Sequence, residues 1–446
     1  MDKKLFYKTA IALIVPIALQ NLINVGVTSA DVLMLGKVSE NVLSASSLAG
    51  QIQFIMTLIF FGLTSGASVL TAQYWGKKDT DTIEKVLGYS LKISTIVSIS
   101  FTVITFLFPT YLMRIFTSDI DVINEGCKYL RIVCFSYIFT GISITFLNIM
   151  RSIERVKIST FVYFMSLVIN VIFNYILIFG KFGVPALGIK GAAISTLIAR
   201  IVEVIIIYFY CHFCCNEVKL RFKYIFKVDK WLKLDFIKFS LPVIINELMW
   251  GLGTSANTSI IGHLGSQAAA ANSIAQVTRQ LATVVAFGIA NATAIMIGKM
   301  IGENNLRDAK EAGKRFVILS IITGLLGSIV VLIVRPIAIN TMTLSPLAKE
   351  YLSCMMIVMS YFVLCQAYNT TMIVGVFRAG GDTKYGLFID VSTMWGFSII
   401  LGWLFAFVFK ANVQLVYVIL LSDEIIKIFL STRRYKQYKW LNNITK

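Results

Sequence analysis

Long apolar blocks recur along the chain, and their length is the first constraint on its fold. Stretches such as 93–108, 316–334 and 391–409 approach the roughly 20 mostly apolar residues an α-helix needs to cross a bilayer. Inside lipid only helices and closed barrels satisfy their own backbone hydrogen bonds. These blocks are continuous rather than alternating, so they predict helices. Charge agrees: only 14% of the 446 residues are charged, against about 25% in a soluble domain. The expected spans are 9–34, 49–75, 86–110, 127–150, 158–180, 191–213, 237–261, 271–299, 316–334, 350–375, 385–409 and 412–432.

The formal charge of +18 would suit nucleic acid if it formed a patch, but it is distributed by side instead. Of the 41 Lys and Arg, 28 fall in the termini and the segments on their side, and 9 on the opposite side. That is the positive-inside bias, and it sets both termini in the cytoplasm. The other four, Lys92, Arg200, Arg279 and Lys427, lie within spans. The seven cysteines form no paired framework. Cys211, Cys214, Cys215 and His212 cluster at the end of the sixth span, where a helix end or a metal site would both accommodate them.

The sequence repeats. At an offset of 226, Pro16 meets Pro242, Gly36 meets Gly262, Gly62 meets Gly288 and Gly76 meets Gly302. Farther on the offset is 227, and Arg151 meets Arg378, Lys157 meets Lys384 and Arg200 meets Lys427. The units are an N-terminal six-helix lobe (1–215) and a C-terminal six-helix lobe (237–446), joined by a basic cytoplasmic linker at 216–236. An even number of spans per copy gives both copies the same orientation, as in transporters built from parallel repeats. The expected fold is therefore an all-α integral membrane protein of twelve transmembrane helices in two pseudo-two-fold related bundles.

Charge at membrane depth is costly, so each ionisable group there is a functional candidate. Asp31 lies near the outer end of the first span, and Glu247 about ten residues into the seventh, near mid-membrane. Their repeat mates are Asn257 and Asn21. Either acid would take a proton or hold a sodium ion with neutral oxygens, which Asn170, Asn174 and Thr196 would supply. Asp390 is expected to pair near Lys384, Arg200 with Glu203, and Lys427 with Asp423, the last two by same-helix spacing. Pro16 and Pro242 each remove a backbone bond within a span and are candidate hinges. A cavity for flat, apolar cations would draw on Asn21, Trp250, Gln276, Tyr361 and Asn369.

These residues resemble the MATE family, the multidrug and toxic compound extrusion transporters, over nearly the whole chain. The resemblance rests on 16–36 with Asp31, on 242–247 with Glu247, on NVIFNYILIFGKFGVPALGIKGAAIST at 170–196 and on RAGGDTK at 378–384, of which 151–157 is a worn counterpart. It implies a drug/cation antiporter of the bacterial inner membrane that exports amphipathic cations, is driven by Na+ or H+, needs no cofactor, and works as a monomer among membrane lipids. Glu247 matches the acid of the NorM-like branch. The DinF-like branch usually carries an aspartate where this chain has Asn174, and the second acid of the NorM-like span ten is missing around 366–369. The competing readings are a lipid-linked oligosaccharide flippase, an exporter of another metabolite, a membrane enzyme and a channel. A nucleotide-hydrolysing motif, GxxxxGK[ST], does not occur.

Overall fold

The computed structural model describes residues 2–215, 217–342 and 344–445. Helices carry nearly all of it. The first half contains α1 (Lys3–Gly36), α2 (Glu40–Gly76), α3 (Thr80–Leu107), α4 (Pro109–Arg114), α5 (Ile120–Val133), α6 (Ser136–Ser152), α7 (Val156–Phe179), α8 (Ile189–Phe213) and α9 (Lys223–Phe226). The second contains α10 (Lys230–His263), α11 (Ser266–Gly302), α12 (Leu306–Thr341), α13 (Pro346–Thr370), α14 (Thr383–Thr393), α15 (Ile400–Trp403), α16 (Val413–Leu420) and α17 (Asp423–Lys436).

Among the described residues ten helical runs are long and apolar enough to cross a membrane, and an eleventh forms if α5 and α6, bent by 56°, are one span. The twelfth expected span, 412–432, is interrupted: α16 ends at Leu420 and α17 begins at Asp423. Ser422 turns its hydroxyl back to the Ile419 carbonyl at 2.6 Å in that break. Asp423 and Glu424 then stand in the first turn of α17, where carboxylates complement the free N–H groups. Three π-helical segments, Thr371–Phe377, Met394–Ile399 and Leu404–Val408, interrupt the helices around α14 and α15.

The chain forms two compact units. One runs through Ala18, takes in Ala72–Lys78, and resumes at Leu241; the other comprises Leu19–Thr71 and Asp79–Ser240. In the first, Phe6 packs edge-on against Phe316 of α12 at 4.9 Å, with Arg315 over the Phe6 ring. Its core gathers Ile261, Leu352, Met356, Val416 and Tyr417. The core of the second gathers Leu35, Met56, Phe60, Leu130 and Tyr137. At the end of α8, Cys211, Cys214 and Cys215 are free thiols, and Cys215 points to the Val218 carbonyl at 3.2 Å.

The C-terminal tail is packed into the first unit. Trp440 is fully buried and stacks on Tyr435 at 5.6 Å. Gln73, also fully buried, donates to the carbonyls of Ala379 and Asn442 and accepts from the Ile444 amide. The tail crosses the 378–384 loop at Gly380, where an added Cβ would lie 1.4 Å from the Trp440 carbonyl oxygen. Only glycine permits that approach. Gly380→Ala is therefore expected to lower the thermal midpoint of the purified protein by several degrees, from overpacking of about 1–3 kcal/mol. An unchanged melt would mean that the tail does not dock there.

Candidate functional site

The 19–71/79–240 unit brings together the four residues singled out for its cation site. Asp31 stands near the end of α1. Asn170 and Asn174 are one turn apart on α7 and share a face. The Asn174 amide donates to Asp31 Oδ1 and lies 3.1 Å from Asn170 Oδ1. Its own carbonyl oxygen is buried and has no hydrogen-bond partner among the described residues. Asp31, Asn170 and Thr196 line a cavity of about 450 Å3, together with Tyr129, Gln53 and Arg200. A carboxylate among amide and hydroxyl oxygens is a donor set for a hard cation, or an acceptor for a proton.

Arg200 could neutralise Asp31, since it lines the same cavity. It is instead held by Glu203, as the three-residue spacing implied, with Nη1 2.5 Å from Oε1. Ser143 donates to the second Glu203 oxygen at 2.6 Å, which fixes the carboxylate. The Arg200 charge is thus balanced locally, while Asp31 is bonded to a neutral amide. Tyr129 and Gln53 were not singled out in the sequence; a tyrosine and a glutamine on separate helices carry no spacing signal toward an acid on α1.

The other unit treats its acids differently. Glu247, on α10, meets Arg378 at 2.7 Å. That arginine opens the RAGGDTK loop and is itself buried. Asp390 does not settle on Lys384. Its partners are Lys427 at 3.1 Å and the Asn246 amide at 2.9 Å, because Lys427 is buried on α17 and must collect carboxylates. It does: Asp423 lies 2.9 Å away, as its four-residue spacing implied, and Glu424 3.0 Å away. Glu424 was not singled out, although its place beside Asp423 and three residues before an intramembrane lysine was a readable signal.

The residues expected to form a substrate cavity are distributed. Trp250 and Gln276 line a small pocket of about 30 Å3 with Arg279, Phe362, Glu424 and Lys427. Asn369 is drawn into the acid network, its amide donating to the Glu424 side chain and backbone at 2.7 Å each. Tyr361 packs against the core of this unit, its hydroxyl buried with no hydrogen-bond partner among the described residues. Asn21 lies on α1 in the other unit. Pro16 and Pro242 both lie inside unbroken helices, α1 and α10.

The sequence model of the MatE family matches residues 16–176 and 242–404. Among curated relatives, the "Uncharacterized transporter YisQ" of Bacillus subtilis is 23% identical over 413 residues, covering 93% of this chain and 90% of its own. The "Probable multidrug resistance protein NorM" of Thermotoga maritima is 22% identical over 435 residues, covering 97% and 93%. Among solved structures, a MOP superfamily transporter from Pyrococcus furiosus superposes with a TM-score of 0.87 at 16% identity, covering 96% of this chain and 95% of that one. A mutant of the Vibrio cholerae MATE transporter VcmN gives 0.88 at 17%, covering 98% and 99%. The likeness extends over the whole chain and carries the twelve-helix fold.

Glu247 and Arg378 form a buried pair, so removing one partner takes that counter-charge from the other. Breaking such a pair is worth about 3–5 kcal/mol, whereas removing both is far milder. Glu247→Gln and Arg378→Gln should each lower the thermal midpoint, and the double variant should recover most of the loss. Additive losses in that cycle would show that the two charges do not depend on each other.

Proposed function

The chain belongs to the MatE family, a family of multi-pass membrane transporters rather than enzymes, with a NorM-like relationship; from that premise we propose that it is a cation-coupled antiporter exporting amphipathic cationic compounds by alternating access. Relatives named as multidrug resistance proteins support drug export. The coupling rests on one observation above the others: Asp31 sits in a cavity lined by neutral oxygens, and the neighbouring Arg200 is already bound to Glu203. An incoming Na+ or H+ would there find a carboxylate that no fixed cation occupies.

In this reading Asn170, Asn174 and Thr196 complete the ion's surroundings. Glu247 is the second coupling acid, and its exchange with an ion runs against Arg378. Exchange follows because each ligand binds the two transport states with different affinity. The lobes 1–215 and 237–446 are the moving parts. Pro16 and Pro242 are their hinges, a role supported by each lying within two residues of a point where the chain passes from one compact unit to the other. The protein works as a monomer in the bacterial inner membrane, with both termini cytoplasmic, an orientation supported by the distribution of Lys and Arg.

The test is ethidium efflux from cells lacking their own pumps. Wild type should export, and a Na+ or pH gradient should stimulate it. Asp31→Asn, at equal membrane abundance, should lose about tenfold or more of the stimulated rate, within the range of a typical coupling free energy. Stimulation by Na+ at fixed pH assigns sodium, and stimulation by the pH gradient alone assigns the proton. Undiminished stimulation in Asp31→Asn would remove that residue from the coupling site. Failure of wild type to export any of a panel of cationic dyes would overturn the substrate class.

A further inference from the structure

The segment that joins the two repeats is held against α3 in a fixed orientation. Tyr224, in the short helix α9, turns inward and donates its hydroxyl to Asp81 Oδ1. The backbone at Tyr224 lies so close to α3 that a Cβ on Gly88 would come within 2.7 Å of it. Ion pairs fasten the segment: Arg221 to Glu84 at 2.7 Å, Asp229 to Lys85 at 3.1 Å, and Glu217 to Arg155 through Nε at 2.9 Å.

This clamp sorts the side chains. Tyr224 is 9% exposed, whereas Phe222 and Phe226, two residues to either side of it, are each 74% exposed. All four of the clamp's nearby acids, Asp81, Glu84, Glu217 and Asp229, are engaged. Lys219, Lys223, Lys227 and Lys230 are exposed, and their side chains make no ion pair among the described residues. The outer face of the segment is thus two aromatic rings among uncompensated lysines.

Its depth follows from α3. That helix has 28 residues, which at 1.5 Å per residue is about 42 Å, roughly 12 Å more than the hydrocarbon core. The charged residues Asp81, Glu84 and Lys85 occupy its first two turns while the far end is apolar, so the excess length projects at the charged end. The clamp engages those two turns and Gly88. The joining segment therefore lies at the level of the lipid headgroups, where rings enter the acyl boundary and lysines meet phosphates.

We propose that residues 217–230 form a docking surface for anionic phospholipid headgroups of the adjacent leaflet, with Phe222 and Phe226 as the inserted rings and Lys219, Lys223, Lys227 and Lys230 as the phosphate contacts. The surface is independent of the transported ion and of the substrate.

The test uses the full chain with Phe226→Trp, reconstituted in vesicles of phosphatidylcholine and phosphatidylglycerol in which one or the other lipid is brominated, and read as tryptophan quenching beyond that of wild type. Brominated phosphatidylglycerol should quench about twofold or more above brominated phosphatidylcholine at equal fraction, since each juxtamembrane lysine adds to anionic attraction. Lys223→Gln/Lys227→Gln/Lys230→Gln should remove that preference while quenching by both lipids persists. Equal quenching in the protein with its lysines intact would overturn anionic recognition. The absence of quenching by either lipid would place the segment in water and overturn the docking surface altogether. Loss of the preference on adding millimolar glycerol phosphate would assign the lysines to a soluble anion instead.

Discussion

Desolvation of charge governs this protein. A charge carried into hydrocarbon must find a partner, line a water-filled cavity or be neutralised. Several of the ionisable side chains within the spans obey by pairing. Lys427 gathers Asp390, Asp423 and Glu424; Glu247 and Arg378 face each other; Glu203 holds Arg200. These bonds join α17 to α14 and α10 to the 378–384 loop, so they also set how the helices of the C-terminal half lie against one another. The break in the twelfth span belongs to the same solution. It puts a helix start, with its free N–H groups, at the point where two acids must be accommodated.

The repeat makes the arrangement informative. Arg378 and Arg151 are repeat mates, yet their surroundings differ. Arg378 meets the carboxylate of Glu247. Among the described residues Arg151 hydrogen-bonds amide oxygens, of Gln20 at 3.3 Å and of Asn148. An arginine at the end of a helix can rely on the helix dipole and on neutral acceptors, so the acid at 247 is not demanded by the arginine alone. Arg200 and Lys427 diverge likewise: the first takes a single carboxylate three residues onward in its own helix, the second takes three carboxylates from two helices. The two halves began as one pattern and have distributed their charges differently.

What the sequence reveals follows from the range of its signals. Apolar length and the Pro16/Pro242 offset indicate the helices and the duplication because both are properties of consecutive residues. The Arg200–Glu203 and Lys427–Asp423 pairs were legible for the same reason, since three or four residues is one helical turn. Asp31 with Asn170 and Asn174 was legible as a set of oxygens. Asp390 was assigned to Lys384 because proximity along the chain was the only measure available, whereas its true partner lies 37 residues on and answers to burial. The contacts between Glu247 and Arg378, and between Asn369 and Glu424, join residues far apart in sequence, and no periodicity reports them. The interruption at Leu421–Ser422 follows the apolar run 413–421 and is followed at once by Asp423 and Glu424, a helix-start signal that a reading by apolar length passes over.

The same accounting separates the acids by what they are free to do. An acid with a permanent cation at hydrogen-bond distance can accept a mobile ion only by displacing that cation or sharing with it, and a guanidinium held at 2.7 Å is a strong competitor in a low dielectric. Any exchange of an ion at Glu247 would therefore come at the expense of its bond to Arg378, and would be tied to movement of the 378–384 loop and of the tail packed over Gly380. Asp31 carries no such burden. Its hydrogen-bond partner among the described residues is the Asn174 amide, which can donate to a carboxylate or, less strongly, to the carbonyl oxygen of a protonated acid, and the cavity beside it leaves room for an ion. Asn174 sharpens the point. An aspartate at that position would add a second negative charge and raise the demand for cations in the site, while asparagine keeps the oxygen and leaves a single charge on Asp31. One mobile monovalent cation, or one proton, would then be sufficient to neutralise Asp31.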